Sequence, residues 1–239
     1  MKVIVLTTDT LHHAYYVKKI TNHCENLLCI IEEQPGSIFQ CDNTTFITES
    51  LQHEKNIFFG GKTKKLEDVC QTRSVGNVND LTTTNIVQSF KPDLIIVYGT
   101  RQIDKSFLMN LNCLIVNLHG GNPEEYRGLD TNLWAAYHND FSNVSLTIHK
   151  VLPRLDTGAI YTTKALNLSN LQGLHQLRAT ATLQAIEDSR SLLQSRNINI
   201  TPFRRQRKLG RYYSSFPNCL LDRAQRNFEN YYAPSRRNC

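Results

Sequence analysis

The sequence predicts an α/β fold, with a Rossmann-like, open and mostly parallel twisted sheet flanked by helices and a small C-terminal extension. The first observation is that continuous apolar, β-branched runs recur along the chain, as in strands covered on both faces. The second is that segments with helix-like spacing separate these runs, so that strands and helices alternate. Such sheets bind ligands at the carboxyl ends of their strands, and we expect functional residues there.

Four apolar runs in the first half of the chain are predicted to be parallel strands: Val3 to Thr7, Leu27 to Ile31, Leu94 to Tyr98 and Leu114 to Leu118. Helices are predicted for His13 to Cys24 and Asp80 to Phe90, where apolar residues recur at helical spacing. The second helix should end before Pro92, because proline disfavours helix in the residue that precedes it. The stretch from Gln34 to Asn79 has weak periodicity, and no element is assigned to it.

The second half of the chain predicts an addition to this sheet and one long helix. Val144 to Val151 alternates apolar and polar residues, and Ala159 to Leu168 has a β-like run, so we expect an antiparallel pair at the sheet edge. Leu174 to Leu193 is predicted to be a packed helix. We therefore expect a principal domain over residues 1–195 and a small extension over residues 196–239.

The composition is that of a globular protein with a sizeable core. Of 239 residues, 40% are hydrophobic and 20% are charged, which suits one domain with an extension or with a small second domain. The sequence lacks an apolar, uncharged window of 18 residues, so we expect neither a membrane span nor a membrane partner. The first apolar run is short and predicts a strand, not a signal peptide. The seven cysteines are scattered without a Cys-x-x-Cys pair, which indicates reduced thiols in a cytoplasmic protein and no metal site.

The net charge of +6 is concentrated late in the chain, in Arg196 and in the stretch Arg204 to Arg211. One interpretation is a solvated basic loop. The other is contact with an anion such as a nucleotide diphosphate, a polyglutamate tail or RNA. The charge alone does not choose between them.

A candidate catalytic group follows the fourth predicted strand. Asn117 and His119 alternate on extended chain, so both side chains point the same way, and Asp156 lies in a later turn. An amide, an imidazole and a carboxylate together can polarise a carbonyl, hold a tetrahedral oxyanion and move a proton, which indicates acyl transfer. Taken singly, His119 suits an ordinary hydrogen-bonded histidine, and Asp156 suits an ordinary turn aspartate.

Other polar residues support two interpretations each. Arg127, next to Tyr126, suits either a substrate-gripping arginine or a surface charge. His12 and His13 follow the first strand, and they face a ligand or lie in a loop. The single tryptophan, Trp134, is predicted to lie in the core. No role is assigned to the remaining histidines considered, which are His138, His149 and His175.

Four motifs occur in an informative order: Asn117-Leu118-His119, Tyr126-Arg127-Gly128, Thr147-Ile148-His149 and Leu155-Asp156-Thr157-Gly158. This ordered set resembles the 10-formyltetrahydrofolate-dependent formyltransferase family, over about Leu94 to Leu168. The resemblance implies a catalytic domain over residues 1–195, a catalytic trio of Asn117, His119 and Asp156, and 10-formyltetrahydrofolate as co-substrate, without a metal. It also implies that the following residues cradle the pterin: Tyr98, Gly99, Thr100, Arg101, Ile103, Leu152 and Leu155.

The resemblance also bears on the acceptor. The purine-synthesis transformylase has a Gly/Ser-rich phosphate loop where this chain has Thr8 to His13, and the chain given is too short for the C-terminal barrel of methionyl-tRNA formyltransferase. Residues 126–134 look like the branch that formylates amino sugars on a dTDP- or GDP-type carrier, in O-antigen or other polysaccharide biosynthesis.

For that branch we expect a nucleotide-linked amino sugar as partner, no nucleic acid, and substrate contacts from His12, His13, Tyr126 and Arg127. The aromatic C-terminal segment suits either a homodimer interface or a small core. Alternatives are a glycinamide ribonucleotide or methionyl-tRNA formyltransferase, a formyltetrahydrofolate deformylase, and a non-catalytic binding module.

Overall fold

A computed structural model describes residues 1–33, 44–194 and 202–236, and a mixed sheet lies at its centre. The strands are β1 (Lys2–Thr7), β2 (Asn26–Glu32), β3 (Gln71–Val75), β4 (Leu94–Tyr98), β5 (Leu114–His119), β6 (Tyr126–Gly128), β7 (Ser145–Lys150), β8 (Ile160–Ala165) and β9 (Arg211–Tyr213). The helices are α1 (Leu11–Thr21), α2 (Thr44–Phe59), α3 (Leu81–Phe90), α4 (Lys105–Met109), α5 (Thr131–Tyr137), α6 (Leu177–Leu193) and α7 (Leu221–Arg236).

The central sheet has seven strands in the order β3-β2-β1-β4-β5-β7-β8. The first five are parallel to one another, whereas β7 runs antiparallel to both β5 and β8. Strands β6 and β9 form a separate parallel pair beside the sheet. The predicted α/β class, the four parallel strands and the antiparallel edge pair are therefore confirmed.

Two differences from the predicted elements have local causes. Helix α1 ends at Thr21, three residues before the predicted end, because tight turns at His23 and Cys24 replace the helical hydrogen bonds. The long helix starts at Leu177, after a 3-10 turn over Leu174–Gln176.

The unassigned stretch from Gln34 to Asn79 contains helix α2 and strand β3, and its residues 34–43 lie outside the described part. Strand β3 was not predicted because it has no apolar run: most of its side chains are polar and exposed at the sheet edge. Its parallel pairing with β2 makes it a strand, which a local pattern does not encode.

Two apolar clusters cover the two faces of the sheet. The smaller contains Ile4, Ile95 and Phe107, and the larger contains Val5, Ile96 and the buried face of α6. Because successive side chains of a strand point to opposite faces, one apolar run supplies both clusters.

Of the seven cysteines, Cys41 and Cys239 lie outside the described residues, and the described ones are free thiols. Among the described helices, none is long and apolar enough to cross a membrane.

The C-terminal helix α7 packs on α5 and shares the larger core cluster. Phe228 is fully buried there, and its ring lies 6.3 Å from that of Phe141. Trp134, predicted to lie in the core, is half-buried, and its indole donates a hydrogen bond to the Ser214 carbonyl at 2.9 Å. The described part of the predicted extension thus contributes to the same core as the main sheet.

We expect Phe228→Ala to lower the free energy of unfolding by about 3–5 kcal/mol, because it removes a fully buried ring and leaves a cavity. Urea unfolding followed by circular dichroism measures this change. Arg226→Ala, at an exposed position of the same helix, should change the free energy by less than about 0.5 kcal/mol. Equal, small effects of both substitutions would mean that α7 is not part of the cooperatively folded core.

Candidate active site

A cavity of about 800 Å³ opens at the carboxyl ends of β1, β4 and β5, which is the expected ligand position for such a sheet. It is lined by all of the predicted site residues except Tyr126 and Arg127. These residues are His12, His13, Tyr98, Gly99, Thr100, Arg101, Ile103, Asn117, His119, Leu152, Leu155 and Asp156.

Strand β5 presents both Asn117 and His119 to the cavity because they are two residues apart on extended chain. In the β5–β7 pairing, Asn117 lies opposite His149. Asn117 Nδ2 is 3.3 Å from His149 Nε2. Since His149 Nδ1 is 2.8 Å from the Lys150 carbonyl, which only accepts, Nδ1 carries a proton, and an unprotonated Nε2 can accept from the Asn117 amide.

His119 has one ring nitrogen engaged and one directed at a carboxylate. Its Nε2 donates to the Tyr126 carbonyl at 2.9 Å, and its Nδ1 lies 3.7 Å from Asp156 Oδ2. Burial lowers the pKa of His119, an effect that nearby Asp156 opposes and His149 increases. The imidazole is therefore neutral near pH 7, and its unprotonated Nδ1 can accept a proton.

Asp156 is held as an anion in a tight turn. Its backbone is left-handed, with φ of 53°, and its Oδ2 accepts a hydrogen bond from the Gly128 amide at 2.8 Å. Although burial raises its pKa, the pKa is about 2 because His119, His149 and that amide favour the carboxylate. A permanent negative charge thus lies beside two histidines.

His149 is a member of this network that sequence reasoning missed. Its Nε2 lies 3.4 Å from Asp156 Oδ1 as well as near Asn117. The available signal was its place in the Thr147-Ile148-His149 motif on an alternating strand. A protonated His149 can donate to Asp156, whereas the neutral ring accepts from Asn117.

The segment after β4 makes a compact wall of the cavity. Gly99 has φ of +80°, and a Cβ there would lie 2.6 Å from the His13 ring, so this position requires glycine. Glu32, whose side chain is fully buried, accepts a hydrogen bond from the backbone N–H of Arg101 at 2.9 Å and forms an ion pair with its Nε at 2.5 Å. Glu32 is a second residue that the sequence did not reveal, and it fixes the predicted pterin-binding segment.

His12 and His13, at the start of α1, line the cavity next to this wall, and the His13 ring lies 4.4 Å from that of Tyr98. Burial lowers the pKa of His13 to about 4 and, together with the charges of His13 and Arg178, holds that of His12 well below its usual range. Arg178 forms two hydrogen bonds, of 2.6 and 3.2 Å, with the fully buried Glu54. This end of the cavity thus carries two neutral imidazoles and one paired arginine.

Tyr126 and Arg127, predicted to bind substrate, lie behind the cavity wall. The Tyr126 hydroxyl donates to Asp140 at 3.0 Å. Arg127 is buried, and its guanidinium donates to the carbonyls of Gly210 at 2.7 Å and Leu155 at 3.2 Å. Arg127 therefore is not the surface charge that its sequence context equally allowed, and it ties together two loops.

The basic stretch is partly neutralised by acidic partners. Arg204 pairs with Glu124 through two hydrogen bonds of 2.8 Å, and Lys208 forms an ion pair with Glu125. Arg196, the first cation of the predicted cluster, lies outside the described residues. Among the described residues, no group of three or more His, Cys, Asp or Glu side chains has an arrangement that suits a metal ion.

Comparisons with solved structures show the same fold. A 4-N formyltransferase from Francisella tularensis has 15% identity and a TM-score of 0.59, and the match covers 89% of this chain and 76% of that one. Phosphoribosylglycinamide formyltransferase from Bacillus halodurans has 16% identity and a TM-score of 0.57, with coverages of 84% and 99%. HypX from Aquifex aeolicus has 13% identity and a TM-score of 0.53, and the match covers 92% of this chain but only 31% of that longer chain.

No curated protein matches the sequence. A profile of the formyl transferase family, in contrast, matches residues 1–185. The matched residues include the whole central sheet and the Asn117, His119 and Asp156 network. The protein therefore belongs to the formyl transferase family.

Proposed function

We propose that this protein transfers the formyl group of 10-formyltetrahydrofolate to the amine of a nucleotide-linked amino sugar. The observation that carries the proposal is the convergence of the Asn117 amide, Nδ1 of His119 and the Asp156 carboxylate on one cavity. These groups match the three needs of formyl transfer, which are oxyanion stabilisation, proton transfer and charge balance.

In the proposed reaction the neutral amine forms a C–N bond to the formyl carbon, and the carbonyl π pair moves to oxygen. The Asn117 amide donates a hydrogen bond to this oxyanion, and Nδ1 of His119 takes the amine proton. Asp156 stabilises the resulting imidazolium, which lies 3.7 Å from its carboxylate. The oxyanion then re-forms the carbonyl, the bond to N10 of the folate breaks, and His119 returns the proton to N10.

Asn117 and His119 of β5 differ in the N–H groups that they can offer to the oxyanion. His119 already uses Nε2 for the Tyr126 carbonyl, so it can donate to an oxyanion only through a protonated Nδ1. Asn117 has an amide hydrogen for the oxyanion besides the one directed at His149. We therefore assign the permanent donor role to Asn117 and the proton-transfer role to His119.

The folate is proposed to bind between the segment after β4 and the loop that precedes Asp156. Ile103, Leu152 and Leu155 line this side of the cavity and supply apolar contacts for a pterin ring. Gly99 also lines this side of the cavity, where the His13 ring packs against it. Gln102 donates to the Pro153 carbonyl at 2.6 Å, which joins the two sides of the proposed pterin site.

The acceptor is proposed to enter at the His12 and His13 end. Helix α1 starts at Leu11 without a glycine-rich turn. The two arginines that line the cavity are both paired, Arg178 with Glu54 and Arg101 with Glu32. A phosphate monoester needs unpaired cations or free backbone amides. The neutral surface is better suited to a sugar ring.

The carrier nucleotide is proposed to leave the cavity past Tyr212. This side chain lines the cavity and is about half exposed, at 55%, so its ring is available for stacking on a base. The neighbouring Arg211 alternates with Tyr212 on strand β9, and its guanidinium lies over the Tyr213 ring. We therefore assign the base contact to Tyr212 alone, and Arg204 of the basic stretch has a structural partner in Glu124.

The direct test is incubation of the protein with 10-formyltetrahydrofolate and a panel of nucleotide-linked 3- and 4-amino sugars. We expect a mass gain of one formyl group on at least one sugar nucleotide, with formation of tetrahydrofolate. Turnover only on glycinamide ribonucleotide or methionyl-tRNA, or formate release without an acceptor, would reject the sugar acceptor and retain the catalytic trio. Folate binding without turnover on any of them would reject the whole proposal.

Asn117→Ala should lower kcat by about 10²–10³-fold with little change in KM, because it removes a donor that acts on the developing oxyanion. Steady-state kinetics with the accepted substrate measures both constants. Asn112→Ala, at an exposed position just before β5, is the matched control and should behave as the wild type. An increase in KM with unchanged kcat would contradict the oxyanion role.

The kcat should fall as the pH is lowered through the His119 pKa, which burial holds below 6.5, because a protonated Nδ1 cannot accept the amine proton. Asp156, with its pKa of about 2, stays ionised above about pH 4 and adds no second step there. The measurement is kcat against pH at saturating substrates, with circular dichroism at each pH as the control for folding.

Asp156→Asn should move the His119 titration to lower pH, because the carboxylate favours the charged imidazole and its neutral replacement does not. Imidazole NMR of the substrate-free protein follows this titration. An unchanged His119 pKa in the variant, or a kcat that rises on acidification, would contradict the assigned proton transfer.

A further inference from the structure

Residues 202–213, here named the C-terminal strap, pass over the loop of residues 152–158 that carries Asp156. The strap lies beyond residues 1–185, which match the family profile, and it includes strand β9. It contacts the catalytic loop through Gln206. A segment outside the matched region therefore contacts the part of the site that holds the carboxylate.

Gln206 makes the central contact of the strap with this loop. Its Nε2 donates to the Asp156 carbonyl at 2.8 Å and to the Gly158 carbonyl at 2.9 Å. The two hydrogens of one amide thus join the carbonyls on both sides of Thr157. Gln206 Oε1 is buried and has no partner among the described residues, so the side chain is oriented by its donors alone.

The turn that Gln206 holds is conformationally demanding. Asp156 has a left-handed backbone, which is unfavourable for a residue with a side chain. Gly158 packs directly under the Lys150 carbonyl, where a Cβ would lie at only 1.7 Å. Fixed hydrogen bonds to this turn therefore offset its strain and determine where the Asp156 carboxylate points.

The strap is anchored on both sides of Gln206 by contacts that do not involve it. On one side, Arg204 exchanges two backbone hydrogen bonds with Ile160, at 2.7 and 2.9 Å. On the other, β9 pairs with β6, and the Gly210 carbonyl accepts a hydrogen bond from Arg127 at 2.7 Å. Loss of the Gln206 amide should therefore leave the strap in place.

We propose that Gln206 is a positioning residue, which holds the Asp156 carboxylate against His119 and His149, so that the C-terminal strap completes the active site. The role of Asp156 on which this proposal rests is the one that it has in the formyl transfer proposed above. Gln206 touches only backbone carbonyls, and it acts on the reaction through Asp156. The charged or titratable groups that face His119 are Asp156, from the loop that Gln206 holds, and His149, from β7.

Gln206→Ala and Gln206→Met test this role. The second variant keeps most of the side-chain volume and removes only the two donors, so it separates hydrogen bonding from packing. We expect kcat to fall by about tenfold to a hundredfold in both, because a small displacement of a catalytic group has effects of this size. The fall in kcat should exceed any rise in the KM of either substrate.

Arg205→Ala is the matched control, since Arg205 is the exposed neighbour on the same strap. It should retain wild-type kcat. A kcat of both Gln206 variants equal to that of the control would overturn the proposal. A melting temperature close to the wild-type value in Gln206→Met shows that its loss of kcat does not arise from unfolding.

A second readout does not depend on the acceptor. The imidazole titration of His119, followed by NMR without substrate, should move to lower pH in the Gln206 variants, because Asp156 no longer lies in place to favour the imidazolium. It should not move in Arg205→Ala. An unchanged titration in Gln206→Met would overturn the positioning role. If no amino sugar is formylated, the His119 titration still tests the positioning role of Gln206, because it needs no acceptor.

Discussion

The buried carboxylate of Asp156 is the group on which the rest of the site depends. It lies 3.4 Å from His149 and 3.7 Å from His119. Its negative charge opposes the lowering of the His119 pKa that burial causes. A buried charge of this kind is stable only when hydrogen bonds surround it. The Gly128 amide supplies one such bond to the carboxylate, and Gln206 holds the turn that presents it.

The architecture of the sheet brings these groups together. The parallel strands end at one edge, where Asn117 and His119 of β5 face the cavity, and the antiparallel β7 adds His149 directly opposite Asn117. The loop between β7 and β8 then carries Asp156 back over β5. Arg127 and Gln206, which do not line the cavity, donate hydrogen bonds to carbonyls of this loop, so residues outside the cavity still define its geometry.

The cavity has little net positive charge for a physical reason. Each lining arginine has a fully buried carboxylate partner, Glu32 for Arg101 and Glu54 for Arg178, because an unpaired guanidinium in a half-buried wall would lose solvation without compensation. His12 and His13 are buried and neutral. The cavity thus presents hydrogen-bonding groups with little net positive charge, which agrees with a sugar as the proposed acceptor.

The fold class, four parallel strands and twelve of the residues that line the cavity could be predicted from the sequence, because apolar runs report burial locally and the ordered motifs lie near strand ends. The edge strand β3, the contributions of Glu32, His149 and Gln206, and the structural role of Arg127 became visible in the folded structure. Strand pairing and buried polar partners depend on residues that are distant in sequence. Gln206 lies 50 residues from Asp156, and a local pattern in the chain cannot indicate that these two residues meet.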